Sequence, residues 1–502
     1  MLVAKTREGY PWAGAVATQV RWRSSEGAPG RLVGTGFTMT DDQADARPTE
    51  AIRPPWSGSG GPLARRVVQP LQAFLNEETS SALLLFTAAV VALVWVNSPV
   101  RESYETLWHT QVGIRIGDVG IVEDLRHWVN DGLMSLFFLV VGLEIKRELT
   151  TGELRDPRAA AVPVIAALGG MLVPAVIYLA LNPTGTNSEG WGIPMATDIA
   201  FALGVLTLAA RSAPASLKAF LLTLAIVDDI GAIIVIALFY SGGVTVLPLA
   251  LAAGLLAVIV VCQRNQVRAA TVYVALGTAV WIAVYESGVH PAIAGVVLGL
   301  LTPAVPFQRP SAVSEEAHRI ANETVDDPSP PDADAPQWLR LATLSTEAVS
   351  PLARVEASLH PWTSSLVVPL FALANAGIVL SGDVFADAAR SSITLGIVLG
   401  LVVGKVAGIM FASALTVRTG IGRLPAGATW RHLLGVGAVA GIGFTVSLFI
   451  TELAFGGGVE AGQAKVGVFI ASVIAGLLGF AVFRVGSRGS IRSFDREGRP
   501  LR

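Results

Sequence analysis

The chain of 502 residues has a single cysteine, Cys262, so no internal disulfide can form and no cysteine metal site is encoded. Charge is scarce too. Asp, Glu, Lys and Arg together make up 15% against 52% hydrophobic residues, and the mean hydropathy is +0.59, which excludes an ordinary soluble domain. The start of the chain has no apolar stretch after a basic beginning, so it does not read as a signal peptide. The formal net charge of -2 says little about partners, and no nucleic-acid partner is expected.

What the chain does have is long apolar runs. Spans are predicted near residues 80–97, 129–150, 159–181, 191–210, 216–240, 244–262, 270–286, 289–303, 361–381, 391–417, 429–454 and 464–484, about twelve in all. The fold class is therefore an all-α polytopic membrane protein, with the lipid bilayer as its first partner. Basic residues sort the loops into two sets. One set carries Lys146, Arg147, Arg155 and Arg158, then Arg211 and Lys218, Arg264 and Arg268, the stretch 309–354, Arg418, Arg423 and Arg431, and the tail from Arg484. The other set has Arg101, Arg115, Arg126 and Arg390 and almost nothing else. Both termini are expected on the cytoplasmic side.

Three segments stand apart from the membrane domain of residues 66–486. Residues 1–65 are rich in Gly, Ser, Arg and Asp without a sustained period and read as a disordered cytoplasmic tail, or as an over-extended reading frame with a true start near Met39 or later. Residues 307–340 are acidic and Pro-rich, a flexible cytoplasmic linker between two halves. Residues 487–502 form a basic tail.

Within the membrane domain, the costly residues carry the functional signal. Asp228 and Asp229 sit mid-run in AFLLTLAIVDDIGAIIVIALFY. A carboxylate at the bilayer centre costs at least ~2.5–3.5 kcal/mol, so a pair there must face a polar cavity and hold something. In GWGIPMATDIAFALG, Gly190–Gly204, Pro194 removes a backbone donor and Asp198 follows four residues later. A helix broken near Thr197 would leave free N–H groups and free carbonyls at membrane depth. A plain proline kink with Asp198 as a cap is the bland reading. A second break is expected in HLLGVGAVAGIGFTVSLFITELAF, where Gly435, Gly437, Gly441 and Gly443 weaken the helix and Thr445 and Ser447 offer hydroxyls. Glycines in a membrane helix more often mean close packing. Paired interrupted spans in corresponding places of two halves, however, mark a transporter built from inverted repeats. Lys405 lies about a dozen residues from either end of its span, ~18 Å, too deep to snorkel. A structural ion pair would account for Lys405 and one acid and leave two carboxylates without partners.

These motifs resemble the NhaA-type sodium/proton antiporters of bacterial cytoplasmic membranes. The likeness runs from about Leu71 to Gly486, through NDGLMSLFFLVVGLEIKRELTTGEL, ATDIAFALGVL, AIVDDIGAIIVIALFY, SGVHPAIAGVVLG, LHPWTSSLVVPLFALANAG, VVGKVAGI and GIGFTVSLFI. The resemblance implies twelve helices with an inverted-repeat core and two crossing interrupted helices, around Thr197/Asp198 and Ala440–Thr445. It also implies a cation held chiefly by Asp198 and Asp229 with help from Thr197, and Lys405 paired with Asp228 or a neighbouring acid. The transported ions would be Na⁺, Li⁺ and H⁺, and no cofactor is required.

Weaker signals surround this core. Asp131 matches a family position linked to transport, although capping a helix start is its role on physics alone. Glu144 and Glu148, one turn apart, read by default as a solvated charged face; the resemblance places a cytoplasmic pH-sensing and ion-access region there and adds Glu356 and His360. His290 reads as an external loop residue. QVGIRIGDVGIVEDL reads as an external β-hairpin around Gly117-Asp118, and the resemblance implies that it pairs two subunits in a homodimer. Rival readings are a cation channel with the same acids, an intramembrane aspartyl protease, whose GxGD-like context VDDI and ATDI do not provide, and a retinal protein with Lys405 as Schiff base.

Overall fold

The computed structural model describes residues 78–116, 119–210, 214–325 and 334–490. The tail 1–65, the hairpin turn Gly117-Asp118, Arg211, residues 326–333 and the end of the basic tail lie outside them. All twelve expected segments contain helix. Among the described residues, six helices are long and apolar enough to cross a bilayer, and up to nine if each of three bent pairs counts as one span. Ala270–Glu286 and Ala292–Leu301 are shorter, and residues 351–375 form a helix that starts ten residues before the expected 361–381.

Two trios of helices make the centre. Pro157–Leu181, the bent pair Thr186–Met195 plus Ile199–Ala209, and Ala215–Phe239 form the first; Ser392–Arg418, the bent pair Trp430–Ala440 plus Phe444–Phe455, and Val459–Ser490 form the second. In both the middle member bends by 43°. Arg155 and Arg158 lie at the start of the first trio's first helix, Arg418 and Arg423 at the end of the second's, so by the positive-inside rule the trios have opposite orientations. This is the inverted repeat. The two leading helices touch backbone to backbone: a Cβ added at Gly169 would lie 2.5 Å from the Gly408 carbonyl. Close approach of this kind is what small residues allow in membrane helices.

One apolar core runs through both trios, from Leu85 to Phe483, while Ala252, Ile259, Val280, Ala283, Val284 and Ala294 tie three peripheral helices together. Outside, Leu247, Val246 and Leu238 are 81%, 76% and 72% exposed. Large aliphatic side chains on the outer surface suit acyl chains as neighbours. The hairpin is present: Gln111–Ile116 pairs antiparallel with Val119–Asp124, from Gln111↔Asp124 to Ile116↔Val119.

The stretch 307–340 is not a flexible linker throughout. Pro310–Val325 is helical, and Ala335–Glu347 packs against it. Val313 and Ile320, two helical turns apart, are buried, a periodicity that the acidic, Pro-rich composition masks. Arg268 pairs with the buried Glu347, which also accepts from Gln308 at 3.2 Å.

Candidate ion-binding site

The two breaks cross and supply each other's missing hydrogen bonds. Asp198 N donates to Ile442 O at 2.7 Å. Thr197 Oγ1 stands 2.9 Å from the Ala440 carbonyl, at the end of one half-helix, and Ser447 Oγ donates to Ile193 O at 2.7 Å near the end of the other. Each half-helix that ends mid-membrane thus has a carbonyl within hydrogen-bond reach of a hydroxyl from the other broken span, as backbone in a bilayer core requires.

Asp198 serves two helix N-termini at once. Its Oδ1 accepts from Phe201 N at 3.2 Å, capping Ile199–Ala209, and its Oδ2 accepts from Thr445 N at 3.1 Å and Thr445 Oγ1 at 2.6 Å at the start of Phe444–Phe455. A carboxylate suits this place because both N-termini present free N–H groups and the positive ends of their dipoles. The kink-and-cap reading is right about the cap and incomplete, because the cap bridges two spans.

Asp228 and Asp229 sit midway along Ala215–Phe239, and Lys405 follows a π-helical turn, Gly400–Gly404, midway along Ser392–Arg418. Lys405 Nζ lies 2.5 Å from Asp228 Oδ2, with both side chains fully buried. Thr197 Oγ1 is 2.7 Å from the same oxygen, whereas Asp228 Oδ1 is enclosed with no partner. Asp229 is 5% exposed and accepts no hydrogen bond among the described residues; Asp228, Glu144, Asp198 and Lys405 lie within electrostatic range of it. Three acids, one base and one hydroxyl therefore meet at the crossing, and their commitments differ. Asp198 and Asp228 are held. Asp229 has no such partner among the described residues.

The outlying residues fall elsewhere. Asp131 is not at a helix start: the helix begins at Leu125, capped by Asp124, which accepts from His127 N at 2.8 Å. Asp131 lies in the π-helical turn Trp128–Leu133, 3.4 Å from His290 Nε2. His290 is in a loop as expected, but packed, its ring edge-on to Phe449 at 5.2 Å. Glu148 is not on a solvated face. It is 8% exposed and accepts from Glu153 N at 2.7 Å, closing the turn after its helix. Glu356 is buried and pairs with Arg147, next to Glu144; His360 is exposed. The Arg147–Glu356 pair links residues 209 positions apart and escaped the sequence reading, as did a buried reciprocal amide pair, Asn130 with Asn375, at 2.7 and 3.4 Å. Among the described residues no group of His, Cys, Asp and Glu is arranged to hold a resident metal ion.

Comparison with known proteins agrees with this geometry. The family model "Na+/H+ antiporter 1" matches residues 72–483. "Na(+)/H(+) antiporter NhaA 2" of Sorangium cellulosum is 49% identical over 428 residues, covering 84% of this chain and 91% of that protein. "Na(+)/H(+) antiporter NhaA 3" of Frankia alni is 44% identical, covering 86% and 92%, and "Na(+)/H(+) antiporter NhaA" of Janthinobacterium sp. is 44% identical, covering 84% and 93%. The channel reading finds no support among these relatives, which carry the names of antiporters. The chain is a multi-span membrane protein and belongs to the NhaA family of Na⁺/H⁺ antiporters.

Proposed function

We propose that the protein exchanges cytoplasmic Na⁺, or Li⁺, for external protons across the bacterial cytoplasmic membrane, extruding sodium and serving pH homeostasis. The observation that carries this reading is Asp229, buried at the crossing without a hydrogen-bond partner among the described residues, beside an Asp228 already paired with Lys405. A carboxylate so placed takes a proton or a cation, and not both. With the site open to the cytoplasm, Asp229 loses its proton and a dehydrated cation binds between it and Asp198, aided by Thr197 and carbonyls at the breaks. Rocking of one bundle against the other exposes the site outside, where protonation expels the cation. The proton gradient supplies the free energy, and the reading calls for transported ions and no cofactor.

Exchange is electrogenic on this account. Lys405 carries a proton while the cation is absent and gives it up when Asp228 is drawn to the cation, so two protons move per Na⁺. Inside-negative potential then drives Na⁺ out, each net charge coupling at ~2.3 kcal/mol per 100 mV. Arg147, Glu144, Glu148, Glu356 and His360 make the cytoplasmic end respond to pH, Asp131 tunes transport from the external end, and both termini stay in the cytoplasm. The external hairpin joins two protomers in a homodimer, so cysteines placed on it cross-link in membranes.

The test is proteoliposome transport: an imposed Na⁺ gradient moves protons the other way, and the rate responds to a clamped membrane potential. Sodium flux indifferent to a pH gradient would refute exchange. Exchange without current would refute only the stoichiometry.

A further inference from the structure

Two cavities of about 680 and 760 Å³ open side by side on the arginine-bearing end of the first trio, and both are lined by Glu153, Ala159, Ala219 and Thr223. Thr223 is 2% exposed, and its hydroxyl has no hydrogen-bond partner among the described residues. This sets it apart among the buried threonines of the described residues, since Thr197, Thr363, Thr394, Thr416, Thr445 and Thr451 all have partners. Thr87, Thr278, Thr302, Thr343, Thr416 and Thr451 each donate to the carbonyl four residues earlier, the ordinary way for a helical threonine to satisfy its hydroxyl. The Thr223 hydroxyl is left for whatever fills the cavities.

Position gives that oxygen a use. Thr223 shares a helix with Asp228 and Asp229, five and six residues further on, or ~7.5–9 Å along the axis. Of the acids on the cavity walls, Glu148 is committed to Glu153 N and Asp156 caps Arg158 N at 3.0 Å. The Glu153 carboxylate is exposed and unpaired among the described residues, and Arg155, Arg158 and Arg423 line the same cavities around it.

We infer that Thr223 Oγ1 is a transient ligand for the alkali-metal cation at the neck of the cytoplasmic funnel, replacing one water of an ion gathered by Glu153 before it reaches Asp229. The inference rests on the exchange reading above. Hard cations take oxygen ligands, and an intermediate site must bind well enough to admit the ion and weakly enough to release it. A neutral hydroxyl meets that condition; a second buried carboxylate would retain the ion.

The full chain in proteoliposomes tests this by initial rates of Na⁺-driven proton movement against Na⁺ concentration, at ionic strength held with choline. Thr223→Val keeps the β-branched shape and removes the oxygen; it raises the KM for Na⁺ about five- to tenfold with kcat unchanged. Thr223→Ser restores the wild-type KM. Glu153→Gln raises KM at low ionic strength, and the difference shrinks as salt screens the funnel. Should the valine variant not insert, Thr223→Ala removes the same oxygen. A wild-type KM in Thr223→Val or Thr223→Ala, or a serine variant no better than valine, overturns the inference while exchange stands. Wild-type protein without Na⁺-driven proton movement overturns the exchange reading and this inference together.

Discussion

The two interrupted spans bend by the same 43° from unlike sequences. The first break has Pro194 before it and Asp198 in it; the second has Gly441 and Gly443 and no charge. Equal bends from unequal chemistry mean that neither proline nor a carboxylate is needed to interrupt a helix here. The crossing itself holds both breaks open, through Asp198 N to Ile442 O, Ser447 to Ile193 O and Thr445 to Asp198. The difference lies in what each break offers. Both supply donors and carbonyls, and the first alone adds a carboxylate, which takes Thr445 N and Thr445 Oγ1 from the second. Asp198 is thereby fixed by partners, as Asp228 is by Lys405 and Thr197, whereas Asp229 accepts no hydrogen bond among the described residues.

The largest effect expected from that contrast is at the unpartnered acid. Asp229→Asn abolishes exchange while the protein inserts and melts as the wild type does, because no hydrogen bond is lost; wild-type Na⁺-driven proton release from this variant would dissolve the distinction between held and free acids.

Lys405→Met comes next. It strands Asp228 in the core, and breaking a buried pair by removing one partner costs ~3–5 kcal/mol, read as a lower thermal midpoint of purified protein. The double variant with Asp228→Asn recovers most of that loss. Equal midpoints for single and double variants would show that the pair is not coupled.

Gly443→Ala sharpens the comparison from the uncharged side. Its new Cβ would clash with Ser447 Oγ, the hydroxyl that donates to Ile193 O, and would lie 3.0 Å from the Ala196 carbonyl and 3.2 Å from Leu401 Cδ2, so the crossing must spread, at ~1–3 kcal/mol as for other overpacked sites. Pro194→Ala has the smallest expected effect, under ~1 kcal/mol, because contacts between the spans maintain the first bend. A Pro194→Ala loss exceeding that of Gly443→Ala would return the break to its proline.

Much of this was legible in the chain. Isolated charges in apolar runs located Asp198, Asp228, Asp229 and Lys405 and their common depth, and alternating apolar residues around Gly117-Asp118 located the hairpin. Periodicity and hydropathy are local, and the site's partners are not: Thr445 is 247 residues from Asp198, and Lys405 is 177 from Asp228. Asp131 was misplaced because a π-helical turn continues the helix back to Asp124, and such a turn leaves no mark in composition. Glu148 looked solvated because its neighbours Lys146 and Arg147 are charged, whereas the turn after its helix folds back over it.

The most direct test of the central claim, that one ion and protons compete for the free carboxylate at the crossing, is proton release on Na⁺ binding to purified protein, measured by calorimetry in two buffers of different ionisation enthalpy. Wild-type protein is expected to release protons as Na⁺ binds, and Asp229→Asn to show neither binding nor release; Na⁺ binding to the wild type with no proton released would contradict the account.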